Sequence, residues 1–282
     1  MAPVRALAWR YQYTARRVLP VLSHHHYDFA ECRFEPRYDD RWESATLIPR
    51  LVTFDCAQTL VEIPPDWSLG KLVVDAATQI GLKPPSGADK LYMKLYAGRL
   101  PEFFEINQTG DMVRAETFWS ELGLAWLHAI GESDACAEAL RDAADELLFG
   151  PKSEVFKLYD DVLPCLDYLD SMGIQAAVIS NWDYSLHRVL KMFGIYERFL
   201  VVKASLEEGV EKPDPRLFEI ALEEAGLHAS ETFHVGDSHE DDFVGAKAAS
   251  LRVALIDRMA EESNPPVLKS LLDLPEAFTW ID

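Results

Sequence analysis

Three short apolar segments of this chain end in polar residues that a buried strand would not ordinarily choose, and that repetition limits the available folds. Leu51-Val52-Thr53-Phe54 delivers Asp55, residues 174–180 (IQAAVIS) end in Ser180-Asn181, and residues 232–236 run into Asp237-Ser238. Short β-branched and aromatic runs read as buried strands. A further strand over 199–204 precedes a loop holding Lys212 in EKPDP, and another is read at 253–257. Helical stretches at 162–172, 184–193, 215–226 and 241–250 alternate with these strands. Strands alternating with helices of about ten residues predict an α/β fold, a doubly wound, Rossmann-like parallel sheet. Parallel strands place their carboxyl ends on one edge, so the polar residues that follow them can converge on one crevice.

Between the first strand and this alternating region the rhythm is helical. Pro64-Pro65 breaks the chain, and helices are read at 67–82, 88–105, 113–130 and 134–149. The third carries Phe118, Leu122, Ala125 and Ile130 at helical spacing with Trp119 and Trp126 beside them, a stripe that reads as core. The expected organisation is a core of residues 47–65 and 158–282 with an inserted all-α cap at 66–157. Residues 1–46 read as an extension outside this fold. Arg5, Arg10, Arg16 and Arg17 precede the first acidic residue, Asp28, so a mitochondrial-type presequence is the alternative to a cytoplasmic chain. His24-His25-His26 reads as a solvated loop, because three adjacent histidines cannot all face one ion in a regular element.

The formal net charge of −20 argues against nucleic acid or an anionic membrane as partner. No apolar run approaches the length of a membrane span. The four cysteines, Cys32, Cys56, Cys136 and Cys165, show no paired spacing and read as reduced thiols.

Gathered on one sheet edge, Asp55, Asp237 and the acids Asp241 and Asp242 repel one another unless a cation sits among them. A set of hard oxygen ligands suits Mg²⁺. The Ser180 hydroxyl and the Lys212 amine then offer donors to a phosphate-like dianion.

The ordered set FDxxxTL, VISN, KPDP and VGDSxxxD with a following GA resembles the haloacid dehalogenase-like (HAD) hydrolase superfamily over about residues 49–258. The helical insert resembles the α-helical cap of its first subfamily. SNWD, KPDPRLF and HVGD resemble the subgroup around the animal HAD-like hydrolase domain-containing protein 3. The resemblance implies that Asp55 is a nucleophile forming an aspartyl-phosphate, that Ser180 is a phosphate donor and that Lys212 balances charge. It implies Mg²⁺ held by Asp55, the backbone carbonyl of Ala57, Asp237 and Asp242, with Asp241 the neighbouring alternative. Thr59 and Asn181 join the substrate-binding set, and a small phosphorylated molecule is the implied partner.

The sequence departs from the family's phosphatases at Ala57, where a second aspartate serves as general acid and base. Losing such help costs about 10²- to 10⁴-fold in rate. Gln58 cannot titrate in its place, and Cys56 points away on strand alternation. Four readings follow: a slow or substrate-assisted Mg²⁺-dependent phosphatase; a haloacid dehalogenase; a phosphonoacetaldehyde hydrolase using Lys90 or Lys94; and a catalytically weak protein binding a phosphorylated ligand or protein partner. Cap residues would set the substrate, with Tyr92, Tyr96, Phe103, Phe104 and Trp119 as surfaces and Arg99 and Arg114 as cations for a second anionic group.

Overall fold

The computed structural model describes residues 48–151 and 153–280; the expectations placed on residues 1–46 lie outside them. Six parallel strands form the central sheet in the order β5-β4-β1-β6-β7-β8. They are β1 (Leu51–Phe54), β4 (Gln175–Ser180), β5 (Val201–Ala204), β6 (Thr232–Gly236), β7 (Arg252–Ile256) and β8 (Val267–Leu268). β1 lies between β4 and β6, with Phe54 level with Val178 on one side and Val235 on the other. The chain winds outward from β1 through β4 to β5, then resumes on the far side with β6. The winding reverses at β1, where open α/β sheets bind ligands.

Both faces of the sheet are covered, and alternate residues serve different cores. Val52, Phe54, Ala176, Val178, Phe233 and Val235 face one apolar cluster. Leu51, Ala177, Ile179 and Val253 face a second, built with Leu217, Phe218 and Ala221. Two polar residues interrupt this pattern inside the central strands, Thr53 and His234, both fully buried and paired in register across β1 and β6.

Five helices lie between a short antiparallel ribbon of β2 (Val61–Glu62) and β3 (Lys157–Leu158): α1 (Leu69–Gln79), α2 (Ala88–Gly98), α3 (Leu100–Thr109), α4 (Met112–Ala129) and α5 (Ala137–Phe149). The single helix expected over 88–105 is two. Arg99 leaves helical geometry (φ −112°, ψ 9°) and Pro101 stands in the first turn of α3, where its missing N–H is tolerated but an uninterrupted helix is not. Tyr92, Tyr96, Phe103, Phe118 and Trp119 fill the interior of this helical insert, with Tyr96 stacked on Trp119 at 5.8 Å. These rings belong to the insert's own core, so four of the five aromatic surfaces expected for a substrate are already covered. The insert shares the larger apolar cluster with the sheet. It is also tied to helix α6 (Ser185–Met192) through a bidentate Arg188–Asp145 pair at 2.6 and 3.0 Å.

Two further differences lie at the C-terminal side. The helix expected over 241–250 opens as a π-helical turn, His239–Val244, before an α-helical Gly245–Ala248. The last twenty or so residues, read as a packed tail or short helix, do pack and hold the short helix Leu274–Ala277, but they also add β8 to the sheet edge. Among the described residues, no helix is long and apolar enough to cross a membrane.

Candidate active site

Asp55 follows the central strand and is 1% exposed. Its Oδ1 accepts from Ser180 Oγ at 2.9 Å and from Lys212 Nζ at 2.7 Å. Its Oδ2 is buried and has no hydrogen-bond partner. Lys212 Nζ also donates to Asp242 Oδ1 at 2.5 Å, so one buried ammonium bridges two buried carboxylates. Burial alone would pull the Lys212 amine down, but Asp242 and Asp55 hold it well above its usual range, and it stays charged. Burial pushes the Asp55 carboxyl up, with Asp242 adding to the rise and Lys212 opposing it. Asp242 is buried too, but Lys212 and His234 hold it low.

Glycine is required before Asp237 for a steric reason. A Cβ on Gly236 would overlap the Asp242 carboxylate, which folds back over the end of β6. The π-helical turn makes that return: Asp242 N donates to Ser238 O at 2.9 Å, Phe243 N donates to the same carbonyl at 3.2 Å, and Ser238 N donates to Asp242 Oδ2 at 2.9 Å. Gly245, the glycine of the GA pair, lets this segment close on the KPDP loop, because a Cβ there would stand 3.0 Å from Pro213 Cα. Asp241 N caps onto Ser238 Oγ at 3.0 Å; of the two adjacent acids, it is Asp242 that meets Lys212.

Oxygens of Asp55, Asp237 and Asp242 all lie within 4.8 Å of one another. Three carboxylates against the one Lys212 ammonium leave two negative charges, which one divalent cation would balance. Although Asp237 is exposed at the cleft, the protein around it and the charges of Asp55 and Asp242 push its carboxyl well up. The orphaned Asp55 Oδ2, these hard oxygen donors and the loop around Ala57 all fit Mg²⁺. Around Ala57, Val61 N donates to Cys56 O at 2.9 Å and Gln58 N to Val61 O at 2.7 Å, so the carbonyl of Ala57 takes no part in that bridge. Cys56 is fully buried in the larger core, where burial and Asp55 push its thiol up, away from nucleophilic duty.

Several expected substrate contacts have other partners. Asn181 donates from Nδ2 to Lys212 O at 2.9 Å and accepts from Lys212 N at 2.7 Å, so both ends of its amide hold the lysine's backbone. Arg99 pairs with Glu102 at 2.7 Å and Glu121 at 2.8 Å and lies over the Phe118 ring, while Arg114 pairs with Glu105 at 3.0 Å. Both arginines are thereby committed within the insert. Thr59 is fully buried; its carbonyl accepts from Arg258 Nη2 at 2.7 Å, and its Oγ1 has no partner.

The structure adds residues the motifs do not mark. His234 Nε2 lies 3.2 Å from Asp242 Oδ1, and its Nδ1 lies 2.9 Å from Thr53 Oγ1. Burial holds this imidazole below its usual pKa. The neutral ring therefore donates from Nε2 to the carboxylate and accepts from Thr53. A cleft of about 370 Å³ beside Asp237 is lined by Gln58, Tyr159, His239 and Arg258 among others. Tyr159 donates its hydroxyl to Gln58 Oε1 at 3.0 Å, and its backbone N–H donates to Leu60 O at 3.1 Å. The Arg258 guanidinium lies 3.7 Å over the Tyr159 ring and pairs with Asp161 at 2.6 Å. The signal for His234 was a histidine inside an otherwise apolar strand; Tyr159 and Arg258 carried none.

Known proteins resemble this chain in sequence and in fold. The human haloacid dehalogenase-like hydrolase domain-containing protein 3 is 27% identical over 243 residues, covering 83% of this chain and 95% of its own. Phosphoglycolate phosphatase 1 of Pseudomonas aeruginosa is 27% identical over 240 residues, 82% of this chain and 80% of its own. The crystal structure of a 2-haloacid dehalogenase from Pseudomonas syringae shares the fold with a TM-score of 0.58 at 23% identity, covering 81% of this chain and 97% of that one. The family model described as haloacid dehalogenase-like hydrolase matches residues 49–250, and the chain belongs to that family.

Proposed function

We propose that this protein is a Mg²⁺-dependent, phosphatase-type hydrolase that acts on a small phosphorylated molecule through an aspartyl-phosphate at Asp55. The observation that carries the reading is the divided environment of that carboxylate: one oxygen held by Ser180 and Lys212, the other buried without a partner beside Asp237 and Asp242. In this reading Asp55 attacks phosphorus, Ser180 and Lys212 bind the phosphoryl oxygens, and Asn181 keeps Lys212 in place. Asp55, Asp237, Asp242 and the Ala57 carbonyl would hold Mg²⁺, which supplies charge neutralisation between the nucleophile and the phosphoryl group. The name of the phosphoglycolate phosphatase relative supports a phosphate ester as substrate class.

Ala57 makes the chemistry slow, because its methyl group can neither protonate a leaving oxygen nor activate water. It also favours a second reading, a phosphate-binding protein with little turnover. A dehalogenase needs no metal, and the three-carboxylate set speaks against that alternative. A Schiff-base lysine needs burial to shed its proton, and Lys90 and Lys94 are both exposed.

The test is turnover of an aryl phosphate, with Mg²⁺ and with EDTA, by wild type, Asp55→Asn and Ala57→Asp. Mg²⁺-dependent turnover that disappears in Asp55→Asn and rises in Ala57→Asp is expected. Turnover that survives Asp55→Asn would overturn the mechanism. A silent wild type beside an active Ala57→Asp would favour the binding protein.

A further inference from the structure

The loop that lacks the second aspartate carries another proton donor on its surface. Tyr159 is fastened to it twice, by its N–H to Leu60 O and by its hydroxyl to Gln58 Oε1, the residue next to Ala57. Gln58 is itself held in the left-handed region (φ 62°) with Nε2 donating to Ile63 O at 3.1 Å, so the amide presents its oxygen to Tyr159. Tyr159, Gln58 and Asp237 line one cleft, and Asp237 brings that cleft to within 4.8 Å of the Asp55 carboxylate.

Other polar groups on the cleft wall serve less well. Arg258 is already engaged, donating to Asp161 and to Thr59 O. Asp257 accepts from Met259 N, and His239 stacks on Phe243. Burial pushes the Tyr159 phenol up and keeps it protonated until it donates, while Arg258, a guanidinium 3.7 Å over the ring, opposes that rise.

Resting on the phosphatase reading above, we propose that the Tyr159 hydroxyl is the general acid for the leaving group in place of the absent aspartate. Asp55 forms an oxygen–phosphorus bond as the ester oxygen–phosphorus bond breaks with its electron pair. The Tyr159 hydroxyl turns from Gln58 and gives its proton to that oxygen, releasing an alcohol. The phenolate then takes a proton from water as the resulting hydroxide attacks phosphorus, returning phosphate, the Asp55 carboxylate and the phenol.

An acid matters in proportion to the basicity of the leaving oxygen, and a structural tyrosine does not discriminate in that way. The experiment compares kcat/KM for an alkyl phosphate and an aryl phosphate in wild type, Tyr159→Phe, and Tyr159→Phe with Ala57→Asp, with Mg²⁺ present. Tyr159→Phe is expected to lose about 10²-fold or more on the alkyl ester and less than about threefold on the aryl ester. Ala57→Asp should restore the alkyl ester. Equal losses on both esters, or no loss, would overturn the role of Tyr159 and leave the hydrolase standing. A wild type inactive on both esters would overturn both readings. Circular dichroism melts of each variant exclude unfolding, and a misfolded Tyr159→Phe would move the test to Gln58→Ala, which removes the group that positions the hydroxyl and should lower the alkyl ester more than the aryl ester.

Discussion

Asn181→Ala separates two roles for a residue that stands beside the phosphate donor. If the amide holds the KPDP loop, its loss leaves two buried backbone groups, the Lys212 N–H and C=O, without the partners they have at 2.7 and 2.9 Å. Asn181 and Lys212 are 4% and 1% exposed, so water offers no ready replacement. An unsatisfied buried group costs about 1–3 kcal/mol, and two give about 2–4 kcal/mol where the loop relaxes in part. At about 2–4 °C per kcal/mol for a chain of this size, Tm should fall by about 4–16 °C. Lys212 bridges Asp55 and Asp242, so kcat should fall alongside stability. The assay is thermal unfolding of wild type and variant, paired with aryl phosphate kinetics. A Tm within about 2 °C of wild type together with a raised KM and intact kcat would refute the clamp and return Asn181 to the substrate.

Gly236→Ala should destabilise by about 1–3 kcal/mol, because the new methyl group displaces the Asp242 side chain, and Mg²⁺ affinity should fall with it; a melt and a metal titration check this. Arg114→Ala and Arg99→Ala should leave KM for a small phosphate ester within about twofold of wild type, since both arginines answer glutamates in the insert, and a large rise in KM would contradict their assignment. Asp161 is pushed up by burial but held below its usual pKa by Arg258, the Leu271 N–H and Ser270. Its folded value lies below its unfolded one, so its contribution is present above about pH 4 and is lost as pH falls through the lowered value. The Tm difference between wild type and Asp161→Asn should therefore shrink between about pH 5 and about pH 3, and a constant difference would contradict the linkage.

The sheet was legible because its strands are short, apolar on both faces and terminated by polar residues. β1, β4 and β6 lie within a residue or so of their expected bounds. β8 and the β2–β3 ribbon were not, since two-residue strands carry no periodicity and depend on pairing partners distant in the chain. The split at Arg99 was marked by Pro101, while the π-helical turn had no local marker, because what widens it is Asp242 folding back over Gly236. At the site, strand ends brought Asp55, Ser180, Lys212, Asp237 and Asp242 together as their order implied. The partner of Asn181 lies 31 residues away and the second partner of Arg99, Glu121, lies 22 away, and only the fold reveals these engagements. His234 illustrates the same limit: its importance follows from its register opposite Thr53 and its reach to Asp242, neither of which HVGD displays.

The most direct test of the account is chemical trapping of the intermediate. Protein turning over an aryl phosphate with Mg²⁺ is quenched in acid, digested and analysed by mass spectrometry. The account predicts a phosphoryl group on the peptide containing Asp55, removable by hydroxylamine and missing from Asp55→Asn. Turnover with the phosphoryl group on another residue, or with none on Asp55 under conditions that trap a control acyl phosphate, would contradict it.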